Sequence, residues 1–423
     1  MNFIEELRWR GMLHDMTPGT EEMLTSGQTV GYIGFDPTAP SMGIGNFVQI
    51  QLLKLFQLCG HTPIVLMGGA TGRIGDPSGK DKERELKSYD ELDSNLEFQK
   101  KQIHKFLDFD GSNKAIVVNN HNFYKEMNVL DFLRDVGKTL TVNYMMSKDS
   151  VKNRLDTGLS FTEFSYQLLQ AYDFQVLYNT YQCRLQMGGS DQWGNITSGT
   201  EFIRRNVQDG KAYAVTTPLL TKADGKKFGK SEQGNVWLSP SLTSAYKFYQ
   251  FWINCDDADV EKFIKYFTLK SKEDALAMLE QYKDDPRMLK RLLAEELTTR
   301  VHSLEDVLAV QAVTEKLFGS GASRDQLLSI SASTYEDIAE EIPSFQLGSD
   351  VDVSTIGIID FLTDHAAIFA SKSEARRAIQ NNAVSVNKTK VISIDLKMNH
   401  EDWIHDRFML IENGKKNKYL ICK

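Results

Sequence analysis

Tyr166, Gln170 and Asp173 stand at i, i+4 and i+7 in YQLLQAYD, so a helix there carries a phenol, an amide and a carboxylate on one face. Such a face can hydrogen-bond a small polar ligand, although plain solvent exposure accounts for the same pattern. A second cluster is KADGKKFGKSEQGN, where Lys222, Lys226, Lys227 and Lys230 surround Gly225 and Gly229, with Ser231 following. Four neighbouring lysines can surround a triphosphate and neutralise charge as it develops; a solvated loop has the same composition. GGATGRIGDPSGK (68–80) supplies five glycines and Lys80, with Arg84 just beyond. It is not a Walker A loop, because Ile74 and Asp81 occupy positions that need Gly and Ser or Thr. Phosphate handling by Lys80 and Arg84 and a mobile surface loop both fit it.

Gly43-Ile44-Gly45-Asn46-Phe47-Val48 begins like a dinucleotide fingerprint, but Val48 replaces the third glycine and no acid follows about 20 residues on. A nicotinamide oxidoreductase is therefore a poor reading. What remains is a glycine loop that opens a helix, whose free N–H groups and dipole favour phosphate. In QMGGSDQWGN, Gly188 and Gly189 permit close backbone approach and Asp191 can accept from ribose hydroxyls.

The elements that must hold these residues alternate. TVGYIGF (29–35) reads as a buried strand, and Ile44, Phe47, Val48, Leu52, Leu55 and Phe56 recur at helical spacing. The pattern repeats as strand PIVLM, a Gly-rich loop, a helix, strand AIVV, helix NVLDFLRDVG, and later strand RLQM with its helix. This predicts a doubly wound, Rossmann-like parallel sheet with helices on both faces and ligands at the carboxyl ends of its strands. The loops after Phe35, Met67 and Met187 are where chemistry is expected. From about 243 to 318 the period is helical throughout; 319–352 is Ser- and Gly-rich, then acidic. Beyond it come two short helices, IGIIDFLTDHAAIF and SKSEARRAIQNN, and strand-like alternations AVSVN and KVISI.

Composition bounds the rest. The 423 residues, 41 % apolar and 10 % aromatic, are enough for two to three cored domains. No run approaches the roughly 18 apolar residues of a membrane span, and MNFIEELRWR is acidic where a leader peptide is basic, so a cytoplasmic location away from membranes is expected. Cys59, Cys183, Cys255 and Cys422 are far apart, so neither a disulfide framework nor a metal site is expected. The formal charge of −8 is uneven: residues 371–423 carry 11 Lys or Arg against 6 acids, leaving 38 against 51 on the rest. A basic tail on an acidic body suits a polyanion partner, and equally a solvated basic face.

GFDPTA, GDPSGK, SYQLLQAYD, QMGGSDQWGNI and KFGKS, in this order, resemble the tyrosyl-tRNA synthetases, which are class I aminoacyl-tRNA synthetases. Lys227–Ser231 is similar to the class's KMSKS motif, and SKSEARRAIQNNAVSVN to a small RNA-binding domain shared with a ribosomal protein. The resemblance implies a Rossmann-like catalytic domain over 1–220 with a connective insertion near 120–160. It implies the KFGKS loop and a helical anticodon-binding domain over 221–320, a linker over 321–352, and a small α+β RNA-binding domain over 353–423. The implied activity is adenylation of L-tyrosine by ATP, with Mg²⁺ accompanying the ATP, and transfer to tRNA(Tyr) by a homodimer joined around 120–160.

Roles carry over residue by residue. Tyr32 and Asp173 match the pair that meets the substrate phenol, while Tyr166, Gln170, Asp76 and Gln192 match residues around its α-amino group. Thr38 and the 43–46 loop, with Gly45 and Asn46, would meet the ATP phosphates, Gly189 and Asp191 the ribose, and Gly34 and Asp36 match further ATP-binding positions. Lys227, Lys230 and Ser231 would meet the pyrophosphate, with Lys80 and Arg84 helping the same transition state. One position departs: the class signature His-x-Gly-His is here Gly43-Ile44-Gly45-Asn46. Gly43 has no side chain to donate, and losing one transition-state donor costs on the order of 10²–10³ in rate. Two rivals follow: a synthetase-like protein that binds RNA with weakened activation chemistry, and a tryptophanyl enzyme, which has no use for a phenol-facing Tyr32 and Asp173.

Overall fold

VGYIGF and TPIVLM are nearly unbroken apolar runs, and both become buried parallel strands, β2 (Val30–Phe35) and β3 (Thr62–Met67), paired along their full length. The computed structural model describes residues 2–78, 86–152, 154, 158–225, 228–231, 234–319, 322–348, 353–414 and 417–423. The chain falls into two units, 1–242 with 255–293, and 243–254 with 294–423.

In the first unit, β1 (Asp15–Met16), β2, β3, β4 (Ile116–Asn119), β5 (Cys183–Gly189) and β6 (Tyr213–Thr217) form one sheet in the order β1-β6-β5-β2-β3-β4. All pairings are parallel except β1 against β6, an edge strand the apolar pattern does not announce. The chain leaves β2 toward β3 and β4 and returns through β5 toward β6, so the strand order reverses between β2 and β5. Ligands sit at such a switch point. The helix Ile44–Leu58 is buried on most sides, and Phe47 stacks on Phe267 of the helix Asp257–Phe267 at 5.7 Å between centroids. The helix Phe161–Tyr181 starts at Ser160, whose hydroxyl accepts from Glu163 N. Unusually for a core helix, Glu163, Tyr166, Gln167 and Asp173 are among its buried residues. Glu163 is paired with Arg154 at 3.0 Å, which ties the insertion to this helix.

The second unit has its own sheet: β9 (Ser344–Gln346), β10 (Val384–Val386), β11 (Thr389–Lys390), β12 (Phe408–Asn413) and β13 (Asn417–Cys422), ordered β11-β10-β12-β13-β9. The short hairpin β7 (Lys230–Ser231) and β8 (Gly234–Asn235) belongs to the first unit. AVSVN becomes β10, but KVISI does not become a strand beyond Lys390. Val391 N still bonds Val384 O at 3.1 Å, after which the chain leaves the sheet and Ile392 is 84 % exposed. The hairpin turns through Asn387 and Lys388, both at positive φ, the backbone a tight two-residue connection requires. Within 321–352, helices Arg324–Leu328 and Ala332–Glu341 form, and β9 pairs in parallel with β13. Ile358, Phe361, Leu362, Ile379, Met409 and Ile421 build a core under this sheet.

Candidate active site

At the β2/β5 switch point a cavity of about 350 Å³ opens. The carboxyl end of β2 contributes Tyr32, Gly34 and Asp36, followed by Thr38; the helix Ile44–Leu58 contributes Gly45 and Asn46 from its first turn. The helix Phe161–Tyr181 contributes Tyr166, Gln170 and Asp173, the face read from their spacing. Asp76 comes from the loop after β3, and Gly189, Asp191 and Gln192 from the end of β5. A Cβ on Gly189 would lie 2.6 Å from Asp191 Oδ1, so this glycine is what lets the carboxylate fold over the strand end.

Two polar networks organise the walls. Asp36 accepts from the Tyr166 hydroxyl at 2.9 Å and from the Thr71 hydroxyl at 2.6 Å. A Cβ on Gly68 would sit 2.0 Å from Asp36 Oδ1, so only glycine admits that carboxylate. Gln192 Nε2 donates to Asp76 Oδ2 at 2.7 Å, and Asn195 Nδ2 lies 3.2 Å from Gln170 Oε1 and 3.4 Å from Gln192 Oε1. Three oxygen-bearing side chains, Asp76, Gln170 and Gln192, are thereby gathered into an arrangement suited to an ammonium group.

At the other end, Asp173 is 1 % exposed and accepts from Tyr124 at 2.6 Å and Asn120 Nδ2 at 2.9 Å. Burial pushes its carboxyl up to about 7, against the opposing pull of those two donors. The Tyr32 hydroxyl is buried without a hydrogen-bond partner, and burial beside Asp173 holds its ionisation well above the ordinary phenol value. A buried hydroxyl without a partner is costly, and a hydroxyl and a carboxylate facing one cavity suit a ligand that both donates and accepts there.

Because Asp173 is neutral more readily in the folded state than in the unfolded chain, its contribution to stability is full below about pH 4 and is lost as pH rises through 7. Chemical denaturation of the ligand-free protein at pH 5 and pH 8 should show a drop that Asp173→Ala removes.

The cavity wall holds four carboxylates, Asp36, Asp76, Asp173 and Asp191, and no Lys or Arg among its described residues. Lys80, Arg84, Lys226 and Lys227 lie outside the described residues; Lys230 and Ser231 are described as backbone in β7. The segment after the hairpin is clamped to the glycine loop: Ile44 N bonds Val236 O and Leu238 N bonds Met42 O, each at 2.8 Å. Gly229, at φ +103°, comes so close that a Cβ there would lie 3.4 Å from Gly45 N. Gly43 is extended, at φ −91°, with no heavy atom nearer than 3.5 Å to a built Cβ, so the position accepts a side chain.

The sequence reading missed Asn120, Thr71, Gln49 and Gln186, all of which line the cavity, and Tyr124 and Asn195 behind them. Asn119-Asn120 ends strand AIVV, and the rule that pointed to the ends of β2, β3 and β5 applied equally to β4.

Residues 25–319 match the model of the class I tRNA synthetases (W and Y), and residues 334–421 that of the tyrosine–tRNA ligase SYY-like C-terminal domain. The chain is 51 % identical over 429 residues to a tyrosine–tRNA ligase of Bacteroides fragilis, covering 100 % of this chain and 99 % of the relative. It is 53 % identical to that of Cytophaga hutchinsonii over 425 residues, 99 % of each. A C-terminally truncated mitochondrial tyrosyl-tRNA synthetase of Aspergillus nidulans has a similar structure, with TM-score 0.66 and 30 % identity over 75 % of this chain and 94 % of that one.

Proposed function

This chain belongs to the class I tRNA synthetases of the W and Y family, and from that premise we propose how its cavity performs the reaction. The activity is that of a tyrosine–tRNA ligase: ATP-dependent activation of L-tyrosine, then transfer to tRNA. The observation that carries the tyrosine assignment is the unpartnered Tyr32 hydroxyl facing the same cavity as Asp173. An indole offers nothing to both groups at once, which weighs against the tryptophanyl reading.

In this reading the phenol of the substrate lies between Tyr32 and Asp173, and its ammonium lies against Tyr166, Gln170, Asp76 and Gln192. The substrate carboxylate then faces the helix start at Gly45 and Asn46. Its oxygen attacks the α-phosphorus of ATP in line; the bond between the α- and β-phosphates breaks, and pyrophosphate leaves. No general base is needed, because the carboxylate is already ionised, so positioning and charge stabilisation carry the step. A terminal ribose hydroxyl of tRNA next attacks the acyl carbon, and AMP departs. Thr38, Asn46 and the lysine hairpin answer the phosphate charge, with Lys80 and Arg84 from the neighbouring loop; Gly34, Asp36, Gly189 and Asp191 receive the nucleoside. Mg²⁺ enters with ATP, as part of the MgATP substrate.

We place tRNA(Tyr) on the helices after 243 and on the small domain 353–423, whose basic excess contacts phosphates, making affinity fall steeply with salt. Val129, Leu130, Leu133 and Val142 leave a band of exposed apolar surface on the insertion, which supports a homodimer joined there. No helix among the described residues is long and apolar enough to cross a membrane, and we assign the protein to the cytoplasm.

Tyrosine-dependent ATP–pyrophosphate exchange tests the reading; exchange that responds to tryptophan, or to neither amino acid, overturns it. Two further outcomes are expected. The KM for tyrosine should rise as pH falls below about 7, by up to tenfold per unit, because Asp173 must release its proton to accept from the phenol. Gly43→His should speed activation, since a Cβ at the position meets only ordinary contacts and the signature normally supplies a donor there. The gain is bounded at about 10²–10³, and an unchanged or lower exchange rate shows that Asn46 and the lysines already suffice.

A further inference from the structure

We propose that Tyr124 is a positioning residue for tyrosine specificity, its hydroxyl holding the Asp173 carboxylate in the orientation that receives the substrate phenol. The inference rests on the reading above that Asp173 meets the phenol, and it adds a residue that nothing in the motifs marks.

Tyr124 ends the short helix His121–Tyr124 that follows β4 and is not part of the cavity wall, so it acts through its neighbour. Its hydroxyl lies 2.6 Å from Asp173 Oδ1 and 2.9 Å from Leu169 O. Leu169 is one turn before Asp173 on the same helix, so a single hydroxyl spans the helix backbone and the carboxylate above it. The other carboxylate oxygen, Oδ2, is held by Asn120 Nδ2, and Asn120 is itself fixed by Ala70 N, which donates to Asn120 Oδ1 at 2.7 Å. Two donors from one five-residue segment, 120–124, therefore set the carboxylate plane. With Tyr124 removed, one anchor remains and the group can turn about its terminal bond.

The hydroxyl has one proton and two acceptors. When Asp173 is charged, that proton belongs on Oδ1; when Asp173 is neutral, it can go to Leu169 O. Tyr124 thus favours the charged carboxylate, the form that accepts from a phenol. The other titratable groups facing Asp173 are Tyr32 and Asp36 from β2 and its loop, and Tyr166 and Tyr172 from its own helix; none of them is a cation.

The test is Tyr124→Phe in the full chain, assayed by ATP–pyrophosphate exchange with tyrosine and with phenylalanine from pH 6 to 9. A hydrogen bond to a charged group is lost, so KM for tyrosine should rise on the order of tenfold with little change in kcat, while kcat/KM for phenylalanine stays the same. The midpoint of the acid limb for tyrosine should move to higher pH. A role confined to packing would lower both substrates together and leave the midpoint in place, and that result overturns the proposal. So does a variant that fails to fold, because a positioning hydroxyl is dispensable to the fold. If the wild-type protein shows no tyrosine-dependent exchange, the functional reading itself fails; if it does and the variant discriminates as well as wild type, only the role of Tyr124 fails.

Discussion

Tyr32→Phe should lower kcat/KM for tyrosine by about 10–10² and leave that for phenylalanine unchanged or slightly improved; Asp173→Ala should remove most of the remaining preference. In the proposed reading Tyr32 and Asp173, which line one cavity, each offer the phenol a polar partner, and Phe174 packs edge-on against Tyr32 at 5.2 Å. Phenylalanine would leave both groups unanswered in a low-dielectric pocket. Tyrosine-specific synthetases are themselves the established example of this effect, with discrimination of about 10⁵ and no editing. Parallel exchange assays with the two amino acids decide the matter. Equal losses for both would mean that the pair supports the fold rather than selection, and a circular dichroism spectrum of each variant separates that case from misfolding.

Lys230→Ala should slow the first chemical step by about 10²–10³ while tyrosine binding in the absence of ATP is unchanged. Four carboxylates and no described cation line the cavity, so the negative charge that develops on the departing pyrophosphate has no counterpart in the wall. In the proposed reading the counterpart arrives with the hairpin. Its backbone is pinned beside the helix start by the bonds of residues 236 and 238 to residues 44 and 42, and by the close passage of Gly229 over Gly45. Single-turnover formation of adenylate, with tyrosine affinity measured separately by equilibrium dialysis, distinguishes the outcomes. Undiminished turnover in the variant would place the charge stabilisation elsewhere, on Lys80, Arg84 or Lys227.

Much of the site was legible because parallel sheets with crossover helices send their strand ends to one place. Once TVGYIGF and RLQM were read as strands, Tyr32 and Gly189 had to approach each other, and the helical spacing of Tyr166, Gln170 and Asp173 aimed three polar groups at the same gap. Two of the missed wall residues lie where polarity has no periodicity: Asn120 and Thr71 hydrogen-bond each other at 3.0 Å across a loop; Gln49 and Gln186 are polar positions within a mostly apolar helix and strand. The strand pattern of KVISI misled because Ile392 and Ile394 are apolar yet exposed. β12 gave no alternation to read, since Phe408 through Ile411 are all buried.

The solitary hydroxyl of Tyr32 also means that the empty protein withholds part of its stability until the right ligand arrives. A ligand that binds only the folded state adds about 2.7 kcal/mol when present at a hundred times its dissociation constant. Tyrosine alone, with no nucleotide and no RNA, should therefore raise the melting temperature, and phenylalanine at the same concentration should leave it where it was. Tyr32→Phe should melt no lower than wild type when empty, because it deletes an unsatisfied group, yet gain less from tyrosine. Heat alone can thus report what this pocket was shaped to hold.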